Sequence, residues 1–155
     1  MKFLKASNLY SLNKSTYVNL RWIAYTGQFI TIFFVQFVLD FKFNYFICVL
    51  IILFSALTNI YLHFKIKTNQ LNNFTSTIYL SFDIIQLGLL LFLTGGITNP
   101  FIFLIIIPAV FSAQYLNIHS SIILVFLIVI ILSILSFYHF ELPHPGELHF
   151  HAPEY

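Results

Sequence analysis

Five runs of apolar residues, each near the length needed to cross a lipid bilayer, occupy this chain almost end to end. They extend over about Leu20–Leu39, Phe43–Leu62, Phe74–Leu93, Phe101–Leu116 and Ser120–Tyr138. A spanning helix needs about 20 mostly apolar residues, with a range near 17 to 25. Inside hydrocarbon only helices and closed barrels satisfy their backbone polar groups, and unbroken apolar runs select the helix. The predicted fold class is therefore all-α integral membrane, a bundle of five transmembrane helices with short connecting loops. Composition agrees: the chain is 59% hydrophobic and 8% charged, against roughly a quarter charged in a soluble domain. Twenty phenylalanines, mostly inside the apolar runs, exclude a disordered chain. The fourth run is short and contains Pro108, which predicts a kink, with a re-entrant segment as the alternative.

Lysine and arginine set the orientation. Lys2, Lys5, Lys14, Arg21, Lys65 and Lys67 fall on one face of the predicted topology and Lys42 alone on the other. The N-terminus is thus expected in the cytoplasm. Residues 1–19 form a cytoplasmic segment, 20–138 the membrane domain and 139–155 an external tail. That tail carries Glu141, Glu147 and Glu154 and no Lys or Arg. The first run is too long for a signal peptide and no small-residue cleavage site follows it, so Arg21 and Trp22 are expected to anchor a retained helix at the inner interface. A net charge of +2 without a basic cluster gives no sign of nucleic-acid binding. The single cysteine, Cys48, lies within an apolar run and is expected to be a small buried hydrophobe. The tail histidines His144, His149 and His151 form no recognisable ligand set with the tail glutamates or a cysteine, so no metal is expected and a solvated loop is preferred.

Between the third and fourth runs lies Gly95-Gly96-Ile97-Thr98-Asn99-Pro100-Phe101, a cluster of turn-forming and polar groups between two long apolar stretches. Local physics allows two readings of it. In one it is a helix-to-helix connector: Gly95 and Gly96 stop the third helix, Asn99 caps the fourth and Pro100 opens it. In the other the same geometry binds a ligand. Thr98 and Asn99 offer a hydroxyl and an amide, Phe101 a flat apolar face, and the glycines close approach to the backbone. Such a set suits a small, flat, carbonyl-bearing headgroup arriving from the bilayer, as a quinone would.

The heptapeptide resembles the Gly-Gly-x-x-Asn-Pro-Phe motif of RegB/PrrB-type redox-responsive sensor histidine kinases. The resemblance continues in Leu20-Arg21-Trp22-Ile23-Ala24 with Gly27-Gln28, in Phe82-Asp83-Ile84-Ile85-Gln86-Leu87, and in the exit segment from His139 to Tyr155. It implies a bacterial inner-membrane redox sensor domain that binds ubiquinone through Gly95, Gly96, Thr98, Asn99, Pro100 and Phe101. It also implies six spans in an intact, homodimeric protein of a two-component system, with a cytoplasmic kinase region and a cognate response regulator as partner. The chain departs from that pattern in stopping where a sixth span is expected, without the phosphoacceptor His box or the ATP-binding segment. It is accordingly expected to bind but not to phosphorylate by itself.

Asp83 is the one acidic residue within a predicted span, and an intramembrane charge is a functional candidate by default. Gln28 lies at a similar depth in the first span, so the sequence predicts a Gln28–Asp83 hydrogen bond, with Gln86 one turn away on the same face. Arg21 could reach Asp83 by extending inward. These four residues form either a structural polar clamp or a wall coupling ligand state to helix position. Gly27 with Ala24, and Gly88, are small enough for close helix packing. A competing functional class is a small transporter or carrier whose broken helix at Asn99-Pro100 holds substrate. Such proteins tend to show inverted repeats, and residues 20–62 and 74–116 share only hydrophobicity. A purely structural membrane subunit predicts no small-molecule affinity.

Overall fold

A computed structural model describes residues 12–38 and 42–138. The N-terminal lysines Lys2 and Lys5, and the tail residues 139–155 with their acids and histidines, lie outside the described residues. Five α-helices follow one another: α1 (Lys14–Phe37), α2 (Tyr45–Lys65), α3 (Asn73–Leu93), α4 (Ile107–Tyr115) and α5 (Ile118–Phe137). A 3₁₀ turn over Gly96–Thr98 and a 3₁₀ segment over Pro100–Ile106 join α3 to α4. The architecture is the expected all-α membrane bundle.

Asparagines start several of these elements. Asn13 Oδ1 accepts from the Ser15 and Thr16 amides, so α1 opens at Lys14, ahead of the apolar run at Leu20. Asn117 Oδ1 accepts from the Ser120 amide at 2.9 Å and opens α5. Each cap satisfies amides that the first helical turn leaves unpaired.

A small antiparallel ladder pins α1 and α3 at one end of the bundle. Strand β1 (Leu12–Asn13) pairs with β2 (Gln70–Leu71), matching Leu12 to Leu71. Lys14 adds its ammonium, which donates to the carbonyls of His63 and Ile66 at 3.3 and 2.5 Å. A cation there meets the negative end of the α2 dipole.

Helix α1 packs on α2, while α3 packs on α2 and on α5, and α4 lies against α5 and α3. Leu80, Ile84, Leu91, Ile105 and Leu124 form the centre of the larger apolar cluster. Outward, Phe46, Phe54, Phe74 and Phe126 are 61–73% exposed. An apolar surface of that extent needs lipid rather than water. Three helices, α2, α3 and α5, are long and apolar enough to cross a bilayer.

The fourth apolar run shows how a short segment gains reach. Pro100–Tyr115 would be short as a continuous α-helix, but its first seven residues are 3₁₀ and the next nine are α. At about 2.0 and 1.5 Å per residue, that gives roughly 27 Å, close to a hydrocarbon core of about 30 Å. Pro108 is the second residue of α4, a position where a missing amide costs nothing. The irregularity expected at Pro108 therefore takes the form of a 3₁₀-to-α junction.

Candidate functional site

The heptapeptide forms a tight, internally bonded turn. Gly95 and Gly96 both have positive φ, at 109° and 57°, a conformation open to glycine at little cost. They reverse the chain directly after α3. Thr98 donates its hydroxyl hydrogen to Gly95 O at 2.7 Å. Asn99 is 8% exposed and uses both ends of its amide. Its Oδ1 accepts from the Phe101 amide at 2.8 Å, capping the 3₁₀ segment with Pro100 in the first position. Its Nδ2 donates to Thr94 O at 2.9 Å and Thr94 Oγ1 at 2.8 Å. The connector chemistry read from the sequence is thus present in full, with Thr94 as a partner that sequence reasoning missed. What the turn leaves accessible is an edge of Ile97, Thr98, Pro100 and Phe101, the last 38% exposed. Further along the same segment, Phe103, Ile106, Ile107, Val110, Phe111 and Gln114 line an open groove of about 400 Å³.

A second polar assembly lies among α1, α2 and α3. Asp83 accepts from Tyr17 Oη at 2.5 Å, Arg21 Nε at 3.0 Å and Tyr25 Oη at 3.4 Å. Arg21 Nη2 completes an ion pair with Asp83 Oδ1 at 2.8 Å. The guanidinium also donates to Thr58 Oγ1 at 3.0 Å and Asn59 Oδ1 at 3.5 Å on α2. It lies 5.4–5.5 Å from the ring centres of Tyr17, Tyr25 and Tyr79, within cation–π range. Asn59 Nδ2 donates to Val18 O at 3.1 Å, so the group satisfies itself across three helices.

Of the two partners read for Asp83 from the sequence, the structure takes Arg21 and not Gln28. Gln28 does not meet Asp83; it accepts from Gln86 Nε2 at 2.8 Å, and Asp83 goes to Arg21. The reason is where each helix begins. Gln28 is the fifteenth residue of α1, level with Gln86, the fourteenth of α3. Asp83 is the eleventh of α3 and Arg21 the eighth of α1, so the arginine needs to reach less than one turn along the bundle. Tyr17, Arg21, Tyr25 and Gln28 recur at intervals of four, four and three residues, one helix face. A Tyr-Arg-Tyr-Gln stripe in an apolar span is the signal that would have revealed the two tyrosines. Trp22, by contrast, is 42% exposed, as an interface anchor requires.

Cys48 is fully buried beside Ile52 and Tyr25, as a small hydrophobe. Gly88 is buried against Ile131 of α5, while Gly27 faces open space. Among the described residues, no group of three or more His, Cys, Asp or Glu could hold a metal ion.

No protein-family model matches the chain, and no solved structure matches it. A curated relative does: the chain is 33% identical over 128 residues to the sensor histidine kinase RegB of Cereibacter sphaeroides. The match covers 82% of this chain and 28% of that protein, so the chain spans little more than a quarter of its relative's length. Together with the apolar helices, this similarity supports a membrane-embedded protein related at the family level to that sensor kinase.

Proposed function

We propose that the chain is the membrane sensor domain of a two-component sensor histidine kinase, reading the redox state of the quinone pool through ubiquinone bound at the Gly95–Phe101 turn. The observation that carries this reading is the similarity to RegB over 82% of the chain. The internally bonded turn, with the exposed edge of Ile97, Thr98, Pro100 and Phe101 beside it, supports the site. The ring of the ligand lies on Phe101, and its oxygens compete with Thr94 for the amide of Asn99. Exchange of one neutral hydrogen bond for another costs little net energy, so the competition is open to a modest ligand. In this reading the N-terminus is cytoplasmic, the turn lies at the outer surface, and the intact protein is a homodimer passing its signal to a response regulator.

The test is a titration of the purified chain in lipid nanodiscs with a short-chain ubiquinone analogue. Phe101→Ala and Asn99→Ala are expected to weaken binding tenfold or more, about 1.4 kcal/mol. Unchanged affinity in both variants refutes the site.

A further inference from the structure

The least ordinary backbone in the bundle is the 3₁₀ segment Pro100–Ile106, seven residues long. Such runs seldom exceed three or four residues, because their hydrogen bonds are poorer than those of an α-helix. Apolar residues that run straight into an α-helix, as these run into α4, would ordinarily join it as α. Pro108 explains why these do not. Continuing α4 backward would place the Pro108 ring against the carbonyl of Leu104 and deny that carbonyl its donor. Starting α4 at Ile107 puts Pro108 in the first turn, where neither penalty arises. Two opposed terms therefore bear on one segment: hydrogen-bond geometry favours α, and a single proline ring favours 3₁₀.

The two forms present different residues. In the 3₁₀ form Ile102 and Ile105 lie one above the other; Ile105 is 1% exposed and Ile102 packs against the same core. Phe101 points away and is 38% exposed. Converting to α lowers the turn angle from about 120° to about 100° per residue. Counted back four residues from Ile105, Phe101 then swings by about 80° toward the buried direction. The segment also shortens by about 3.5 Å, at about 0.5 Å per residue. The Gly95–Gly96 reversal, with both φ values positive, is the joint that can take up that change.

We infer that Pro100–Ile106 is a two-state element, held by Pro108 in a stretched 3₁₀ form that presents Phe101, with a shorter α form that withdraws it. This holds whether or not the turn takes a quinone. It supplies a discrete motion at the point where α3 and α4 meet.

The test uses the whole chain in nanodiscs, with Cys48→Ala and nitroxide labels at Ile97→Cys and Gln114→Cys, both exposed positions. Pulsed dipolar spectroscopy should give an Ile97–Gln114 distance about 3–4 Å shorter in Pro108→Ala, the contraction expected for seven residues. Pro100→Ala, at the start of the segment, should leave the distance unchanged. A nitroxide at Phe101→Cys should lose oxygen accessibility in Pro108→Ala only. An unchanged distance in Pro108→Ala overturns the inference. Equal shortening in both proline variants also overturns it, because the 3₁₀ geometry would then belong to the turn.

Discussion

Arg21 on α1 and Asp83 on α3 form an ion pair at 2.8 Å, with the arginine side chain 3% and the aspartate 16% exposed. Each charge alone is expensive in a membrane, about 2.5 to 3.5 kcal/mol on insertion scales. The cluster offsets this with hydrogen bonds on both charges: Asp83 receives two tyrosine hydroxyls as well as the guanidinium, and Arg21 also reaches Thr58 and Asn59. Removing one partner leaves the other buried and uncompensated. Arg21→Leu or Asp83→Leu is therefore expected to destabilise the bundle by about 3 to 5 kcal/mol. The double variant Arg21→Leu/Asp83→Leu is expected to recover most of that loss, since an apolar pair leaves no orphan charge. Unfolding in mixed detergent micelles measures all three. A double variant as unstable as the sum of the singles would show that the cluster contributes more than paired charge.

Asn99 performs two tasks that substitution can separate. Its Oδ1 caps the Phe101 amide and its Nδ2 holds Thr94. Asn99→Ala should cost about 1 to 2 kcal/mol, within the range for losing an N-cap. Asn99→Asp keeps the acceptor and loses the donor, so it should retain capping but release Thr94. If Asn99→Asp matches Asn99→Ala in the same unfolding assay, the bonds to Thr94 dominate and the cap contributes little.

The two motif glycines and Gly27 should respond to alanine in opposite directions. At Gly95 and Gly96, φ values of 109° and 57° bring an added Cβ into steric conflict with the backbone. A cost of about 1 to 2 kcal/mol at each position follows from the left-handed conformation. A Cβ at Gly27 in α1 meets nothing within 4 Å. Helix propensity alone then favours Gly27→Ala by up to about 1 kcal/mol. Thermal unfolding of the three variants checks the sign of each change.

The fold class was legible because hydrocarbon imposes a simple rule: five apolar runs can only become helices, and five helices form. The turn's local chemistry was legible for a related reason, since Gly-Gly and Asn-Pro each have few conformational uses. Two features were hidden. Depth along a span depends on where its helix begins, and α1 opens at Lys14, six residues ahead of its apolar run, which sets Gln28 level with Gln86 and leaves Asp83 to Arg21. The 3₁₀ geometry of Pro100–Ile106 was hidden because Pro108 acts backward along the chain, and hydropathy says nothing about helix type. A ligand at the turn is a matter of surface complementarity rather than chain periodicity, and resemblance carried that expectation.

Gly88 is a small-residue contact within this chain, and its cost can be tested against a named neighbour. A Cβ built there would lie 2.7 Å from Ile131 Cγ2 and 3.5 Å from Ile131 Cδ1. The Cγ2 methyl sits on a branched carbon whose χ1 is restricted in a helix, so it cannot swing aside without moving the α3–α5 pair. Gly88→Ala is expected to cost about 1 to 3 kcal/mol through overpacking. Truncating the neighbour removes the clashing methyl, so Ile131→Ala should tolerate Gly88→Ala with little further loss. A double-mutant cycle on unfolding free energies measures that coupling, expected at about 1 kcal/mol or more for residues in contact. If the two substitutions are simply additive, α3 and α5 have enough slack at this level to separate, and Gly88 is then free of the role the packing gives it.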